Sequence, residues 1–262
     1  MMLLDEPYRW AEAVANRRDY IEDQLRGGSP VVGTGYREGA LLVTLVQGQQ
    51  KVYEVYDRIA MAAIGHPTDI EKVRQAAIDL AHIIGFNYSE ADVTLQQLVH
   101  FGLGPAVKTA FDEIVRSPYI VRTLLAELHR LEEGATFYSV DYDGTFQKRE
   151  RCGCLGGIPE ADRVMQRRLT DLHAAELPLE EALDAALLAW AAGRWVGQLA
   201  EVPTGASELE QAAEAADLKG LLKSELEAFT VEGALLERSR PGKNKYRLLT
   251  QGELEAALSA YR

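Results

Sequence analysis

Cysteines and long apolar runs are both scarce in this chain. It has two cysteines among 262 residues, too few to staple a secreted disulfide-rich scaffold. No stretch approaches about 18 uninterrupted apolar residues, so we expect no membrane span. Residues 1–6 lack the basic region and the apolar run of a signal peptide. We therefore expect a cytoplasmic protein.

Basic side chains are in the minority. The chain carries 40 acidic and 28 basic residues, for a formal net charge of −12. Phosphate binding requires clustered Lys and Arg, so we expect no nucleic-acid partner. Basic residues are clustered at 148–151 and again at Arg163, Arg167 and Arg168. We interpret them as a solvated face or a rim of salt bridges between subunits.

The common catalytic and cofactor-binding motifs are also missing. There is no P-loop, no H-E-x-x-H, no G-x-S-x-G and no paired C-x-x-C. The histidines are scattered without metal-ligand spacing, so we expect no metal and no cofactor. Cys152 and Cys154 form a C-x-C on a predicted strand, where both thiols point to one face. We interpret them as free buried thiols, with a metal or redox role as the alternative.

The first third of the chain contains a helix and then a group of strands. At 47% hydrophobic residues, the chain has enough apolar side chains for a sizeable core. Residues 8–26 predict an amphipathic helix with Trp10, Val14, Ile21 and Leu25 on one face, stopped by the glycines at 27 and 28. Four strands are then predicted, at 31–33, 40–46, 51–55 and 59–64.

Two helices are predicted next. Thr68 and Glu71 have the spacing of a capping box, and the helical period continues to Gly85. Asp92 is the predicted N-cap of the second helix. We expect a kink in that helix at Pro105, which has no backbone N–H to donate.

The rest of the chain is again predicted to contain a group of strands, then helices, then further strands. Strands are predicted at 119–128 and 136–142, and Asp143-Gly144 is a turn signal. Residues 146–155 are predicted as a single strand that pairs with 136–142. The later elements are helices at 159–172 and 178–196, a loop at 203–207, an acidic stretch at 208–216, strands at 226–236 and 245–249, and a helix at 251–261.

This block order predicts the fold class. Strands and helices alternate in groups, which argues against a doubly wound parallel sheet. It favours an α+β fold, a four-layer αββα sandwich in which two stacked antiparallel sheets are flanked by helix pairs, with an extra N-terminal helix. We divide the chain into residues 1–28, the N-terminal segment, and residues 29–262, the sandwich domain.

One segment suggests catalysis. Ser29 lies between Gly28 and the first apolar strand, where N-terminal-nucleophile hydrolases place the residue that becomes the chain start after self-cleavage. Such enzymes use a hydroxyl or thiol whose own α-amine is the base. Ser29 is therefore a candidate nucleophile.

Several segments together resemble the α-type subunits of the proteasome core particle, in their bacterial form, within the superfamily of N-terminal-nucleophile hydrolases. The match covers residues 8–260, and the block 51–65 (KVYEVYDRIAMAAIG) is its most specific part. The other segments are 28–33, 86–88 with 92–94, 142–144, 156–157, 179–183, 240–241 and 246–247.

The resemblance implies an αββα sandwich and an empty catalytic site. Catalytic relatives have a threonine, an acidic residue and a lysine at positions that match Ser29, Leu45 and Lys51. Leucine cannot orient or charge-stabilise the lysine, and Pro30 is a poor fit for self-processing. A retained N-terminal helix is typical of α-type subunits, so we expect a structural and gating subunit of a threonine-type endopeptidase complex.

The resemblance also implies partners. A heptameric ring of copies of this chain would stack on a ring of β-type subunits and admit unfolded protein substrates. Residues 1–7 would form the entry gate, and Trp10, Val14 and Ile21 would contact the neighbouring subunit. The C-terminal tails of a ring-shaped ATPase activator would bind in a pocket that includes Lys51, Gly28, Gly65 and His66, with Lys51 pairing to the tail carboxylate.

Two alternatives remain open at this point. The chain is a self-processed hydrolase with Ser29 as nucleophile and Lys51 lowering its proton affinity, or it is a scaffold that kept the fold and joined another assembly. The acidic segment 207–217 is the feature that favours the scaffold.

Overall fold

The N-terminal helix is confirmed. The computed structural model describes residues 7–113, 116–131, 133–203 and 205–261. Helix α1 (Pro7–Arg26) ends before Gly27 and Gly28. Its inner side chains Ile21 and Leu25 are buried in the chain's own core. Apart from Pro7, the predicted gate segment lies outside the described residues.

The first sheet has five antiparallel strands. They are β1 (Val31–Tyr36), β2 (Gly39–Val46), β8 (Cys152–Leu155), β9 (Thr230–Glu237) and β10 (Tyr246–Leu248). Their order is β10–β9–β2–β1–β8. Both β1 and β2 are buried along their whole length because one face meets helices and the other meets the second sheet.

The second sheet also has five antiparallel strands. They are β3 (Val52–Tyr56), β4 (Ile59–Gly65), β5 (Val121–Leu128), β6 (Ala135–Val140) and β7 (Phe146–Glu150). Their order is β3–β4–β5–β6–β7, which leaves β3 and β7 at the edges.

Helices cover the outer face of each sheet. On the second sheet lie α2 (Pro67–Asn87), α3 (Leu95–Leu98), a π-helical segment (Val99–Leu103) and α4 (Gly104–Asp112). Associated with the first sheet are α5 (Pro159–Asp171), α6 (Leu179–Gln198), α7 (Ala206–Ala215), α8 (Leu218–Glu225) and α9 (Gln251–Leu258). Short 3₁₀ turns span Glu90–Asp92, Ala174–Glu176 and Ser259–Tyr261.

Three hydrophobic clusters fill the spaces between these layers. One lies between the two sheets and includes Phe137, and each of the other two lies between a sheet and its helices. The predicted αββα sandwich is confirmed. None of the described helices has the length and apolar character needed to cross a membrane.

The prediction of a single strand over 146–155 is wrong. Arg151 has a φ of 78°, which interrupts the extended backbone between β7 and β8. β7 pairs with β6 in the second sheet, whereas β8 pairs with β1 in the first. The chain therefore changes sheets at Arg151, whose carbonyl accepts a hydrogen bond from the Gly35 N–H.

Both predicted helix starts are also displaced. The N-cap of α2 is His66, whose Nδ1 accepts a hydrogen bond from the Thr68 N–H, and Glu71 binds Arg74 instead of closing a capping box. The N-cap of α3 is Thr94, because Asp92 belongs to the preceding 3₁₀ turn. Several polar residues compete to cap these short connections, and the sequence alone does not choose among them.

The irregularity predicted at Pro105 takes the form of a π-helical turn just before it. The Gly104 N–H bonds the Val99 carbonyl, five residues back. At Gly102 a β-carbon would lie 2.1 Å from Leu80 Cδ2, so the glycine lets this segment approach α2 closely.

The C-terminal region contains more helix than predicted. α7 begins at Ala206, inside the stretch predicted as the loop 203–207, of which Thr204 lies outside the described residues. The acidic stretch is part of α7, and its Leu209 and Ala213 are buried. α8 was not predicted, and β9 begins at Thr230 instead of near 226.

Candidate functional site

The Ser29 hydroxyl is buried and takes part in two hydrogen bonds. Its Oγ donates a 2.6 Å hydrogen bond to the Leu45 carbonyl and accepts one of 3.2 Å from the Trp190 indole Nε1–H. Ser29 lies just before β1, and Trp190 reaches it from the buried face of α6. A nucleophilic hydroxyl needs a base to take its proton, and here the proton points to a backbone carbonyl, which is not a base.

Among the described residues, no carboxylate forms a hydrogen bond with the Ser29 hydroxyl, whose partners are Leu45 and Trp190. Leu45 is fully buried among apolar side chains, as its position in the core requires. The neighbouring Thr44 donates its own hydroxyl to the Pro30 carbonyl. The charged groups that act on Lys51 are Glu232 and Arg194.

Lys51 lies immediately before β3. Its carbonyl accepts a hydrogen bond of 3.2 Å from the Ala63 N–H of β4, which fixes the backbone there. The side chain is half-buried, and burial lowers the pKa of the Lys51 ammonium while the Glu232 charge raises it. Among the described residues the ammonium forms neither a hydrogen bond nor an ion pair. It is thus a cation with capacity for an additional carboxylate.

Gly65 and His66 follow at the end of β4. Gly65 has a φ of +132°, and a β-carbon there would lie 2.1 Å from the Ile120 carbonyl oxygen, so only glycine fits. The His66 N–H donates to the same carbonyl at 2.7 Å. His66 itself is exposed, and its ring caps α2.

Gly28 completes this group. Its N–H donates to the Leu25 carbonyl at 2.9 Å, which closes the end of α1. A β-carbon on Gly28 would lie 3.5 Å from Ile64 Cβ, so the glycine packs against the residue that precedes Gly65. Lys51 and Gly28 each contact the last residues of β4, so the start of β3 and the end of α1 lie at the same end of that strand.

The three residues predicted for ring contact differ in exposure. Trp10 is 47% exposed and Val14 is half-buried. Ile21 is 0% exposed because its side chain fills the core between the sheets. The Ile21 side chain therefore cannot contact a neighbouring subunit. We no longer include Ile21 among the predicted ring-contact residues.

Polar contacts fix α1 to its own subunit, and sequence analysis did not find them. The Arg17 guanidinium donates through Nη2 to the carbonyls of Ala110, Glu113 and Arg116 at the end of α4. Arg18 forms an ion pair with Asp143 in the β6–β7 turn.

The other functional neighbours that the sequence did not reveal are Trp190 and Glu232. Trp190 lies 161 residues from Ser29 along the chain, and Glu232 lies 181 residues from Lys51. No local spacing encodes such contacts, and a buried indole, which normally has a hydrogen-bond partner, was the only available signal.

The cysteines are free and buried. Burial raises the pKa of both thiols, so neither is an activated nucleophile at neutral pH. Within the part of the chain that the structure describes, no group of His, Cys, Asp and Glu side chains is arranged to hold a metal ion.

Comparisons with known proteins give a consistent result. A family model described as proteasome subunit matches residues 26–193. The proteasome subunit alpha of Actinosynnema mirum is 30% identical over 249 residues, which cover 94% of this chain and 84% of that protein. The proteasome subunit alpha of Mycolicibacterium smegmatis is 28% identical, over 94% of this chain and 90% of its own. That of Streptomyces scabiei is 26% identical, over 95% and 90%.

Proposed function

This chain belongs to the proteasome subunit family, among its α-type members, and we propose that it is a non-catalytic subunit of a proteasome-like, threonine-type endopeptidase complex. Copies of it form the outer, heptameric ring. The ring gates the entry of unfolded proteins, stacks on a ring of β-type subunits and docks a ring-shaped ATPase activator.

The packing of α1 is the observation that carries this proposal. A self-processed hydrolase would lose residues 1–28 on cleavage before Ser29. In this chain α1 contributes Ile21 and Leu25 to the core between the sheets, and Arg17 caps the end of α4. Removing α1 would expose that core and leave three carbonyls without their donor. We therefore infer that α1, which covers the core of its own subunit, is not removed by cleavage.

The surroundings of Ser29 support the non-catalytic assignment. Trp190 and the Leu45 carbonyl use the hydroxyl. The acidic side chain that would assist a lysine is replaced by Leu45. We therefore assign no catalytic residue to this chain and place proteolysis in the β-type partner.

For the activator, we propose that its C-terminal tails bind at the edge formed by Gly28, Lys51, Gly65 and His66. An ammonium without an ion pair is a suitable receptor for a terminal carboxylate. The two glycines keep the surface beside it free of side chains. The neighbouring subunit of the ring would supply the other wall of this pocket.

Within the ring, we propose that α1 contacts the neighbouring subunit through Trp10 and Val14. Residues 1–28 then act as the gate and ring-contact segment, and residues 29–262 as the sandwich. Free cysteines agree with a reducing, cytoplasmic location, which we also propose.

For the β-type partner, we propose a surface on the outer helices of the second sheet. Ile83, Phe86, Tyr88 and Phe101 are exposed there, and we call them the outer aromatic patch. Phe86 is 91% exposed and Phe101 is 79% exposed. Gly102 packs against Leu80, so the π-helical segment and α2 present adjoining surfaces. Clustered exposed aromatic residues are typical of protein–protein interfaces.

Co-expression with the β-type subunit from the same genome tests the proposal. We expect ring-stacked particles by electron microscopy and native mass spectrometry, and an intact chain mass that includes residues 1–28. A chain that stays monomeric at micromolar concentration, with and without the β-type subunit, would refute it.

Lys51→Ala tests the activator site in the same particles. We expect assembly and basal peptidase activity to be unchanged and ATPase-stimulated protein degradation to fall at least about tenfold, as for a lost charged contact of about 1.5–3 kcal/mol. Lys72→Ala, on the neighbouring helix α2, is the matched control. Equal stimulation in the Lys51 and Lys72 variants would contradict the assignment.

The same preparations decide between this proposal and its two alternatives. A chain mass that begins at Ser29 would support the self-processed hydrolase. Failure to co-purify with the β-type subunit, together with stable association with another protein, would support the scaffold.

A further inference from the structure

Glu232 joins the two sheets at the Lys51 site. It lies on β9, in the first sheet, and its carboxylate accepts hydrogen bonds from two consecutive backbone N–H groups at the start of β3. The Lys51 N–H donates to Oε2 at 2.8 Å, and the Val52 N–H donates to Oε1 at 3.1 Å. β3 is an edge strand, so these bonds fix a segment that would otherwise be held from one side only.

Glu232 also supplies negative charge beside the Lys51 ammonium. The other cation near Lys51 is Arg194 of α6, whose Nε donates to Glu225 Oε1 at 3.0 Å. The remaining titratable groups that face Glu232 are Tyr53 and Tyr246, and burial raises the pKa of both phenols, so they are neutral at physiological pH. Burial raises the pKa of Glu232, while the Lys51 and Val52 N–H groups and the Lys51 charge lower it. Glu232 is the carboxylate whose charge favours the protonated form of Lys51.

We propose that Glu232 is the positioning residue of the activator site: it fixes the backbone that carries Lys51 and provides the negative charge that faces the Lys51 ammonium. This inference rests on the proposed function of Lys51. Each Glu232 oxygen accepts one backbone N–H group, and among the described residues the Lys51 ammonium forms no ion pair with that carboxylate. It stays available for a carboxylate from the activator.

The electrostatic consequence has a definite sign. Burial lowers the pKa of Lys51, and the Glu232 charge raises it. Removing that charge lets Lys51 lose its proton at a lower pH. A carboxylate ligand requires the protonated form, so the alkaline limit of binding moves to lower pH as well.

The direct test measures Lys51 without any activator. The Lys51 amine is labelled with acetic anhydride over a range of pH in the assembled particle, and acetylated peptides are quantified by mass spectrometry. In Glu232→Gln we expect the midpoint of Lys51 labelling to move to lower pH. Glu54→Gln is the matched control, since Glu54 is an exposed carboxylate of β3 that accepts from Asn244, and we expect no shift.

A second variant separates charge from backbone support. Glu232→Asp keeps the charge but is one methylene too short to reach both N–H groups. We expect its labelling midpoint to stay near that of the unmodified protein. An equal fall in the Asp and Gln variants would show that backbone distortion sets Lys51 protonation, and no fall in the Gln variant would overturn the proposal outright.

ATPase-stimulated degradation completes the test. We expect Glu232→Gln to lose stimulation at a lower pH than the unmodified particle, while basal peptidase activity keeps its pH profile. Stimulation that is insensitive to Lys51→Ala would refute the proposed function. Stimulation that depends on Lys51 but has the same pH profile in Glu232→Gln would refute only the role of Glu232.

Discussion

Trp190 donates its indole Nε1–H to the hydroxyl of Ser29 across 3.2 Å. The hydroxyl in turn donates a hydrogen bond to the Leu45 carbonyl at 2.6 Å. Ser29, Trp190 and the Leu45 carbonyl thus form a small buried polar network. Its role is to stabilise the junction between α1, β2 and α6.

We therefore expect Ser29→Ala to affect stability and not proteolysis. It leaves a buried indole N–H and a buried carbonyl without their partner, at a cost of about 1–3 kcal/mol in the free energy of unfolding. Urea unfolding of the isolated chain measures this cost. Ser207→Ala, at an exposed position of α7, is the control with an expected change near zero. Loss of peptidase activity in assembled Ser29→Ala particles would instead favour the hydrolase.

Arg17 is the second residue for which we predict a structural role. Arg17→Met keeps the apolar stem but removes the donors to the Ala110, Glu113 and Arg116 carbonyls. We expect a loss of about 1.5–3 kcal/mol, the range for hydrogen bonds to charged groups. Hydrogen exchange of α1 should accelerate together with that of the end of α4, because the two are linked by this side chain.

Arg26→Met is the matched control for Arg17. Arg26 is on the same helix, and its side chain is exposed and forms no hydrogen bond or ion pair among the described residues. Substitutions at such surface positions usually change stability by less than about 0.5 kcal/mol. Equal destabilisation by the two substitutions would contradict the capping role of Arg17.

Substitutions in the outer aromatic patch should weaken the stacking of this ring on the β-type ring. We expect Phe86→Ser with Phe101→Ser to leave the fold of the chain intact, since both side chains are exposed, and to weaken association with the β-type subunit at least about tenfold. Native mass spectrometry of co-expressed subunits measures the fraction of stacked particles. Leu131→Ser, which removes a 99% exposed apolar side chain from the β5–β6 loop, is the control. Normal stacking in the double variant would exclude the patch as the contact.

We expect the free energy of unfolding to depend on pH through Glu253, near the C-terminus. Its carboxylate binds Arg247 and closes the capping box of α9 with Thr250, and the Arg247 hydrogen bonds lower the pKa of Glu253 from 4.5 to about 2. A carboxyl with a lowered pKa in the folded state stabilises the protein above its unfolded pKa. This contribution is present above pH 4.5 and is lost as the pH falls toward 2.

Acid unfolding of Glu253→Gln measures this contribution. The difference in unfolding free energy from the unmodified chain should be greatest above pH 4.5 and should shrink toward pH 2. Glu255→Gln removes a carboxylate of the same helix that does not bind Arg247, and it serves as the control. A difference that is constant across this pH range would contradict the assignment.

The order of the elements was predictable because short-range patterns encode it. The apolar period of residues 8–26 and the turn signal at Asp143-Gly144 act over a few residues. Helix caps were less predictable. His66 and Thr94 cap their helices where Thr68 and Asp92 were expected, because each choice depends on which backbone N–H groups the fold leaves free.

The sequence by itself determined the sandwich class, the N-terminal helix and the absence of an acidic partner at Leu45, since each depends on residue type or local period. Only the tertiary structure decided that the backbone changes sheets at Arg151, that Ile21 faces the chain's own core, and that Trp190 and Glu232 reach Ser29 and Lys51. Those contacts join residues up to 181 positions apart, and the free energy that selects them comes from packing of whole layers, which no local pattern contains.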